Sequence, residues 1–186
     1  MKDEGFQEKI MKNVAYIDGA NLHNGVKQLG WTFDYKRFRV WLREKYEIEQ
    51  AYLFLGLVPK YKDLYTYLQE IGYTLVFKEV IFDNEGKAKG NCDADIVVLA
   101  MRDAYENKFD NSILISSDGD YTPLVKFLIE KNKIQTVISP YETSKCSVLL
   151  KRTGVKISYI TDQQTILEKQ KEKAPSGDKT SQGSFS

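Results

Sequence analysis

The segment at residues 112–123 has the sequence SILISSDGDYTP, and it is the stretch that decides the fold. Its first part, Ser112–Ser116, is an apolar run rich in isoleucine, which predicts a buried strand. A helical pattern begins at residue 121, so a short acidic loop with Asp118 and Asp120 joins the strand to the helix. A buried strand that passes into a helix in this way is typical of a parallel α/β sheet.

Strands and helices alternate along the rest of the chain as well. Runs rich in β-branched and aromatic residues predict further strands at Asn13–Ile17, Ala51–Leu57, Tyr73–Val80 and Thr136–Ser139. Helical spacing of apolar residues predicts helices at 35–46, 60–71, 92–106 and 121–131. The last two are so apolar that we expect both to be well covered. Residues 82–88 predict a hairpin or loop. The alternation predicts an α/β fold with a mainly parallel sheet and helices on both faces.

The chain of 186 residues is long enough for one domain with its own core. The folded domain is predicted at residues 13–168, between an N-terminal extension at 1–12 and a polar, disordered tail at 169–186. The longest uninterrupted apolar run, Ile96–Met101, is too short to cross a membrane. The N-terminus lacks the apolar core of a signal peptide, and two cysteines cannot build a disulfide scaffold. These features predict a cytoplasmic protein with no membrane partner.

Charge and the scarcity of histidine and cysteine exclude several functions. Lys and Arg total 27 and Asp and Glu total 26, so a nucleic acid would have to be bound by a local patch. The histidine and cysteines are His23, Cys92 and Cys146, so a structural zinc site would need a carboxylate and three distant segments. The sequence also lacks the two common phosphate-binding motifs, G-x-x-x-x-G-K-[ST] and G-x-G-x-x-G. The aspartates are therefore the main candidates for chemistry.

Aspartates follow two of the predicted strands directly. Asp18 comes after the first strand, and Asp118 and Asp120 come after another. In an open parallel sheet, ligands bind beyond the carboxyl ends of the strands, so we expect these three carboxylates to lie at one edge. Asp93 and Asp95 open a predicted helix, and helical geometry places Asp93 on the side facing the sheet, with Asp95 about 200° away.

Each of these residues also has a purely structural interpretation. Asp120 and Asn21 are residue types that often cap the N-terminus of a helix. Asp93 lies in the first turn of a predicted helix, and the helix dipole would stabilise its charge without any metal. Several carboxylates at one edge repel one another, however, unless a cation lies among them. Because hard divalent cations bind oxygen ligands, the sequence predicts a divalent-metal site at this edge.

Two other metal-dependent sites share part of this pattern. The stretch Asp118–Thr122 matches the D-x-D-x-[TV] motif of haloacid-dehalogenase-like phosphatases. The folded part after Thr122 lacks the later acidic pair that those enzymes need, which argues against phosphatase chemistry. A Toprim site would have a glutamate after an earlier strand, where this chain has Asp18.

Three motifs together resemble the NYN domain family, in its LabA-like branch of the PIN-like nuclease superfamily. They are YIDGANL at 16–22, KGNCDAD at 89–95 and SSDGDYTPL at 116–124. The similarity covers residues 13–168. It implies a three-layer α/β/α PIN-like (Rossmann-like) domain with an acidic pocket that binds Mg²⁺ or Mn²⁺.

The resemblance also implies roles for individual residues. The catalytic and metal-binding positions would be Asp18, Asp93, Asp118 and Asp120. Asn21 and Ser117 would line the pocket. The activity would be that of a metal-dependent ribonuclease, an endoribonuclease that leaves a 5′-phosphate and a 3′-hydroxyl.

Substrate contacts are predicted from charge and local pattern. Lys89 and Lys145 are candidates to neutralise an RNA backbone, since phosphate contacts dominate nucleic-acid affinity. Ser144 and Lys145 are expected to open a helix after a strand, where a phosphate could bind. The expected partner is RNA, and the protein could be a monomer or a homodimer.

A second functional class stays open. Many NYN relatives carry an acid near the position of Leu99, so this chain would have one carboxylate fewer. The alternative function is therefore a non-catalytic module that keeps the fold and the metal pocket and binds RNA or a protein without cutting.

Overall fold

A computed structural model of the protein describes residues 11–78, 81–82, 88–89 and 92–170. The strands of this part are β1 (Met11–Asp18), β2 (Ile48–Gly56), β3 (Thr74–Lys78), β4 (Ile81–Phe82), β5 (Ala88–Lys89), β6 (Phe109–Ile115), β7 (Ile134–Ser139) and β8 (Ile157–Tyr159). Six of them form one parallel sheet in the spatial order β3-β2-β1-β6-β7-β8. β4 and β5 pair separately and antiparallel.

Helices cover both faces of the large sheet. They are α1 (Gly19–Val26), α2 (Tyr35–Tyr46), α3 (Lys62–Glu70), α4 (Asp93–Tyr105), α5 (Thr122–Glu130), α6 (Val148–Lys151) and α7 (Gln164–Leu167). The predicted α/β fold with helices on both faces of a parallel sheet is confirmed.

The core consists of two apolar clusters, one on each face of the sheet. Successive residues of β1 alternate between them, with Ala15 and Ile17 in one cluster and Val14 and Tyr16 in the other. The first cluster packs against α1, α2 and α3, and the second against α4, α5 and α6. A central strand buried on both faces explains why Asn13–Ile17 is so apolar.

The chain order reverses at β1. This strand pairs in parallel with β2 on one side and with β6 on the other, so a crevice opens between the carboxyl ends of β1 and β6. Both strands end in the motifs that carry aspartates. The topology therefore brings together residues that are distant in sequence at a position where such sheets bind ligands.

Several elements differ from the sequence-based prediction. β8 and α7 contain three or four residues each, too few to show a period, and they were not predicted. A helix was expected to open at Ser144 and Lys145, but α6 begins only at Val148. The predicted strand Tyr73–Val80 is observed at Thr74–Lys78, and residues 79–80 lie outside the described part. At 82–88, the pairing of β4 with β5 supports the hairpin interpretation, and residues 83–87 lie outside the described part.

Structural details at both ends of the chain concern the predicted domain boundaries. Met11 and Lys12 belong to β1, although the sequence placed them in the N-terminal extension. At the other end, the N–H of Lys169 donates to the carbonyl oxygen of Thr32 at 2.8 Å. The rest of the proposed extension and tail, residues 1–10 and 171–186, lies outside the described part.

The expectation that helix 92–106 is well covered was wrong. α4 buries Ile96 and Ala100 against the sheet, but Val98, Met101 and Tyr105 are 65%, 38% and 82% exposed. The reason is geometric: only one side of a helix can reach the sheet, and no further layer of the described residues covers the other side.

Candidate metal centre

The carboxyl ends of β1, β6 and β7 are joined by hydrogen bonds. Asp18 ends β1 and caps α1, because its Oδ1 accepts the N–H of Asn21 at 2.9 Å. The Oδ1 of Asn21 in turn accepts the N–H of Ser117 at 3.0 Å. The hydroxyl oxygens of Ser117 and Ser139 are 2.8 Å apart. Asn21 is therefore not the cap of α1, and Asn21 and Ser117 hold the strand ends in register.

Two glycines allow this close packing. A Cβ on Gly19 would lie 2.4 Å from the carbonyl oxygen of Phe54, so only glycine lets α1 begin directly against β2. A Cβ on Gly119 would lie 2.5 Å from the Oγ of Ser147. In Asp18-Gly19 and in Asp118-Gly119, the carboxylate is therefore followed by a glycine against which another segment of the chain packs closely.

Three aspartates form a compact acidic group. Asp118 follows β6, and its Oδ1 accepts the N–H of Asp120 at 3.0 Å in a one-turn helix before α5. Asp93 is the first residue of α4. One oxygen from each of Asp93, Asp118 and Asp120 lies within 4.8 Å of the others. Ligands on opposite sides of one Mg²⁺ or Ca²⁺ ion stand about 4 to 5 Å apart, so the spacing fits a single divalent cation.

Asp18 lies next to this group but is not a member of it. The Asp18 residue is 7% exposed, and its Oδ2 lies 3.3 Å from the hydroxyl of Tyr121. Burial raises the pKa of the Asp18 carboxyl above its ordinary value of 3.8, the hydrogen bond from the Asn21 N–H lowers it, and the charges of Asp93 and Asp118 raise it further.

Tyr121 is a residue of this centre that the sequence did not identify. The hydroxyl of Tyr121 donates to Oδ1 of Asp93 at 2.6 Å, so it connects Asp93 with Asp18. Burial and the two carboxylates raise the pKa of Tyr121 well above its ordinary value, and the phenol stays protonated. The sequence pattern did not indicate Tyr121 as a site residue, because an aromatic residue at the start of a helix is usually part of the core.

The two aspartates of α4 face in different directions, as predicted. Asp93 is half-buried and contacts Tyr121, whereas Asp95 is exposed and forms an ion pair with Lys78 at 3.3 Å. Next to them, burial raises the pKa of Cys92 to about 11. The Cys92 sulfur is not among the ligand atoms of the described residues that lie within 4.8 Å of one another in the acidic group.

The predicted substrate residues are less closely associated with the acidic group. Ser144 and Lys145 are exposed and precede α6 rather than opening it, because the cap of α6 is Ser147. The ammonium group of Lys145 donates to Gln28 at 2.8 Å. The side chain of Lys89 lies outside the described part. Ser147 of the same segment does reach the strand ends, because its N–H donates to the carbonyl oxygen of Ser117 at 3.1 Å.

A shallow depression adjoins the acidic group on the α5 side. It is lined by Gly119, Asp120, Thr122, Pro123, Lys126 and Leu149. Lys126 and Leu149 are exposed, so a cation and an apolar surface lie beside Asp120. The sequence did not single out Lys126, since its position depends on how α5 and α6 pack.

Within the described residues, no helix is long and apolar enough to cross a membrane.

The chain is similar to known proteins in sequence and in fold. The chain is 30% identical over 137 residues to the low amplitude and bright protein LabA of Synechococcus elongatus, which covers 67% of this chain and 71% of LabA. A crystal structure of a protein of unknown function from Vibrio parahaemolyticus superposes with a TM-score of 0.66 and 25% identity, over 86% of this chain and 96% of that one. The NYN domain model matches residues 13–159, which is more than half of the chain. The chain therefore belongs to the NYN domain family, whose fold is that of the PIN-like nucleases.

Proposed function

We propose that this protein is a divalent-metal-dependent ribonuclease that hydrolyses RNA phosphodiester bonds at Asp93, Asp118 and Asp120. The observation that carries the proposal is the mutual distance of their oxygens, within 4.8 Å, at the crevice where the sheet changes direction. Three carboxylates so close together repel unless a cation neutralises them. Membership of a nuclease-like family supports the same chemistry.

The donor set suits Mg²⁺ or Mn²⁺. All three groups are carboxylates, and hard cations of this kind prefer oxygen ligands. Such an ion, when bound, polarises a phosphate and lowers the pKa of a coordinated water. The three carboxylates would hold the ion, and oxygens that the ion does not use would accept hydrogen bonds from the attacking water. Asp18 would add negative charge behind them, next to the hydroxyl of Tyr121.

The depression beside Asp120 is the proposed path of the RNA. Its exposed cation, Lys126, would contact a phosphate next to the scissile bond, and Leu149 with Pro123 would support a sugar or base. Lys145 lines a separate depression with Gln28 and Tyr141, and it would contact the RNA further from the scissile bond.

A second function is favoured by one observation. The exposed stripe Val98, Met101 and Tyr105 on α4 is the kind of surface that binds another protein. A module that binds RNA or a protein through this fold without cutting would keep the acidic group and the stripe but show no turnover.

The test is cleavage of labelled RNA, both single-stranded and structured, with Mn²⁺, with Mg²⁺ and with EDTA. Wild type should cleave with either ion and stop in EDTA. Asp93→Asn should abolish cleavage, whereas Asp95→Asn should leave most of it, because Asp95 is paired with Lys78 outside the acidic group. Equal losses in both variants, or cleavage that continues in EDTA, would contradict the proposal. RNA binding without cleavage would support the binding module instead.

A further inference from the structure

The hydroxyl of Tyr121 lies where three segments of the chain meet. Tyr121 is fully buried in the one-turn helix before α5, Asp93 begins α4, and Asp18 ends β1. The hydroxyl is 2.6 Å from Asp93 Oδ1 and 3.3 Å from Asp18 Oδ2. A phenyl ring would fill the same apolar space, so packing alone does not explain the hydroxyl.

The short contact identifies the principal acceptor. A phenol has one proton, and 2.6 Å is the length of a strong O–H···O⁻ bond, whereas 3.3 Å is long for any hydrogen bond between oxygens. The proton is therefore directed to Asp93. Asp18 accepts its hydrogen bond from the backbone N–H of Asn21 and lies on the other side of the phenol oxygen.

The consequence concerns the direction of the Asp93 carboxylate. The terminal torsion of an aspartate is broad, so the contacts of the Asp93 carboxylate decide where its oxygens point. Repulsion by Asp118 and Asp120 would turn it away from them. A hydrogen bond to one of its oxygens limits this rotation and keeps the carboxylate beside the other two.

We propose that Tyr121 is a positioning residue of the metal centre: its hydroxyl holds the Asp93 carboxylate in the orientation that lets Asp93, Asp118 and Asp120 bind one divalent cation. This inference rests on the proposed function. Hydrogen-bond partners of metal ligands typically contribute about 10- to 100-fold to metal affinity, which sets the size of the expected effect.

The chain offers a closely matched control. Tyr16 is 1% exposed, faces the same apolar cluster, and donates from its hydroxyl to Oδ2 of the buried Asp103 at 2.9 Å. Asp103 lies about 15 Å further along the axis of α4 than Asp93. Tyr16→Phe and Tyr121→Phe therefore remove the same kind of buried phenol–carboxylate bond, but only the second removes it at the acidic group.

The experiment measures Mn²⁺ binding by isothermal titration calorimetry on wild type, Tyr121→Phe and Tyr16→Phe, each checked by its thermal midpoint without metal. Tyr121→Phe should raise the Mn²⁺ dissociation constant about tenfold or more, and Tyr16→Phe should leave it unchanged. In the RNA cleavage assay, Tyr121→Phe should need more Mn²⁺ for half-maximal rate and approach the wild-type rate at saturation. In an Asp93→Ala background, Tyr121→Phe should cause no further loss of affinity, because the acceptor of the hydroxyl is absent.

Each contrary result has its own meaning. Unchanged affinity in Tyr121→Phe would overturn this inference and leave the proposed function standing. Equal weakening in Tyr16→Phe, or a Tyr121→Phe protein that does not fold, would show that the hydroxyl supports the fold rather than the metal geometry. Wild type that binds no Mn²⁺ would overturn the proposed function and this inference together.

Discussion

Replacing Asp118 by Asn should stabilise the protein without metal and destabilise it relative to wild type when metal is added. Two unit charges 4.8 Å apart repel by about 0.9 kcal/mol in water and about 3.5 kcal/mol at an effective dielectric constant of about 20. Asp120 is exposed, so the lower figure applies best to its pair with Asp118. Asn caps as well as Asp, so the hydrogen bond from the N–H of Asp120 is retained.

The net gain without metal is about 1 kcal/mol, which raises the melting temperature by about 2–4 °C in a domain of this size. Metal reverses the order. A ligand that binds only the folded state adds about 2.7 kcal/mol at 100 times its dissociation constant, and the variant has lost one of three carboxylate ligands. The melting curves of the two proteins, plotted against Mn²⁺ concentration, should therefore cross.

Differential scanning fluorimetry from EDTA to millimolar Mn²⁺ tests this prediction. Asp95→Asn is the control: it removes the same charge from the same region but breaks the ion pair with Lys78, so it should not melt higher than wild type without metal. If Asp118→Asn melts at or below the wild-type temperature at every Mn²⁺ concentration, with a parallel curve, the carboxylates neither repel one another as argued nor form a metal site.

Three further predictions concern other parts of the molecule. The folded-state pKa of Asp18 is raised above 3.8, so ionising Asp18 costs stability; this cost is absent below pH 3.8 and complete above the folded-state pKa. In urea unfolding with EDTA, the stability of Asp18→Asn relative to wild type should therefore increase as the pH rises from below 3.8 to neutral, and a constant difference would contradict this. Lys126→Ala should weaken RNA binding and lower the slope of log affinity against log salt concentration by about one. Lys131→Ala, at the far end of α5, should change neither the affinity nor this slope, and filter binding at several salt concentrations measures both. Deleting residues 171–186, which contain almost no apolar side chains, should leave the melting temperature unchanged, and a large decrease would show that this segment is bound.

The fold was predictable because long elements have clear periods. The helix at 35–46 is observed with the same bounds, Tyr35–Tyr46, since Phe38, Trp41 and Leu42 mark its buried face. β1 was equally clear because it is apolar on both faces. β8 was not, because its three residues are only half-buried and show no alternation.

The candidate site was predictable in part. The position of Asp93, Asp118 and Asp120 at one edge follows from strand ends and helix phase, which are local properties. The contact of Tyr121 with Asp18 joins residues 103 apart in sequence, and no local pattern encodes it. For the same reason the sequence did not distinguish Asp18, which caps α1 behind Tyr121, from the three aspartates that form the acidic group.

The most direct test of the central claim is the fate of water oxygen during RNA cleavage. A defined RNA is cleaved in H₂¹⁸O with Mn²⁺, and the product ends are read by mass spectrometry. Hydrolysis at the acidic group predicts fragments with a 3′-hydroxyl and a 5′-phosphate that carries one ¹⁸O, and no such fragments with Asp118→Asn. Products that end in a 2′,3′-cyclic phosphate, or labelled 5′-phosphates that form equally with Asp118→Asn, would contradict the account.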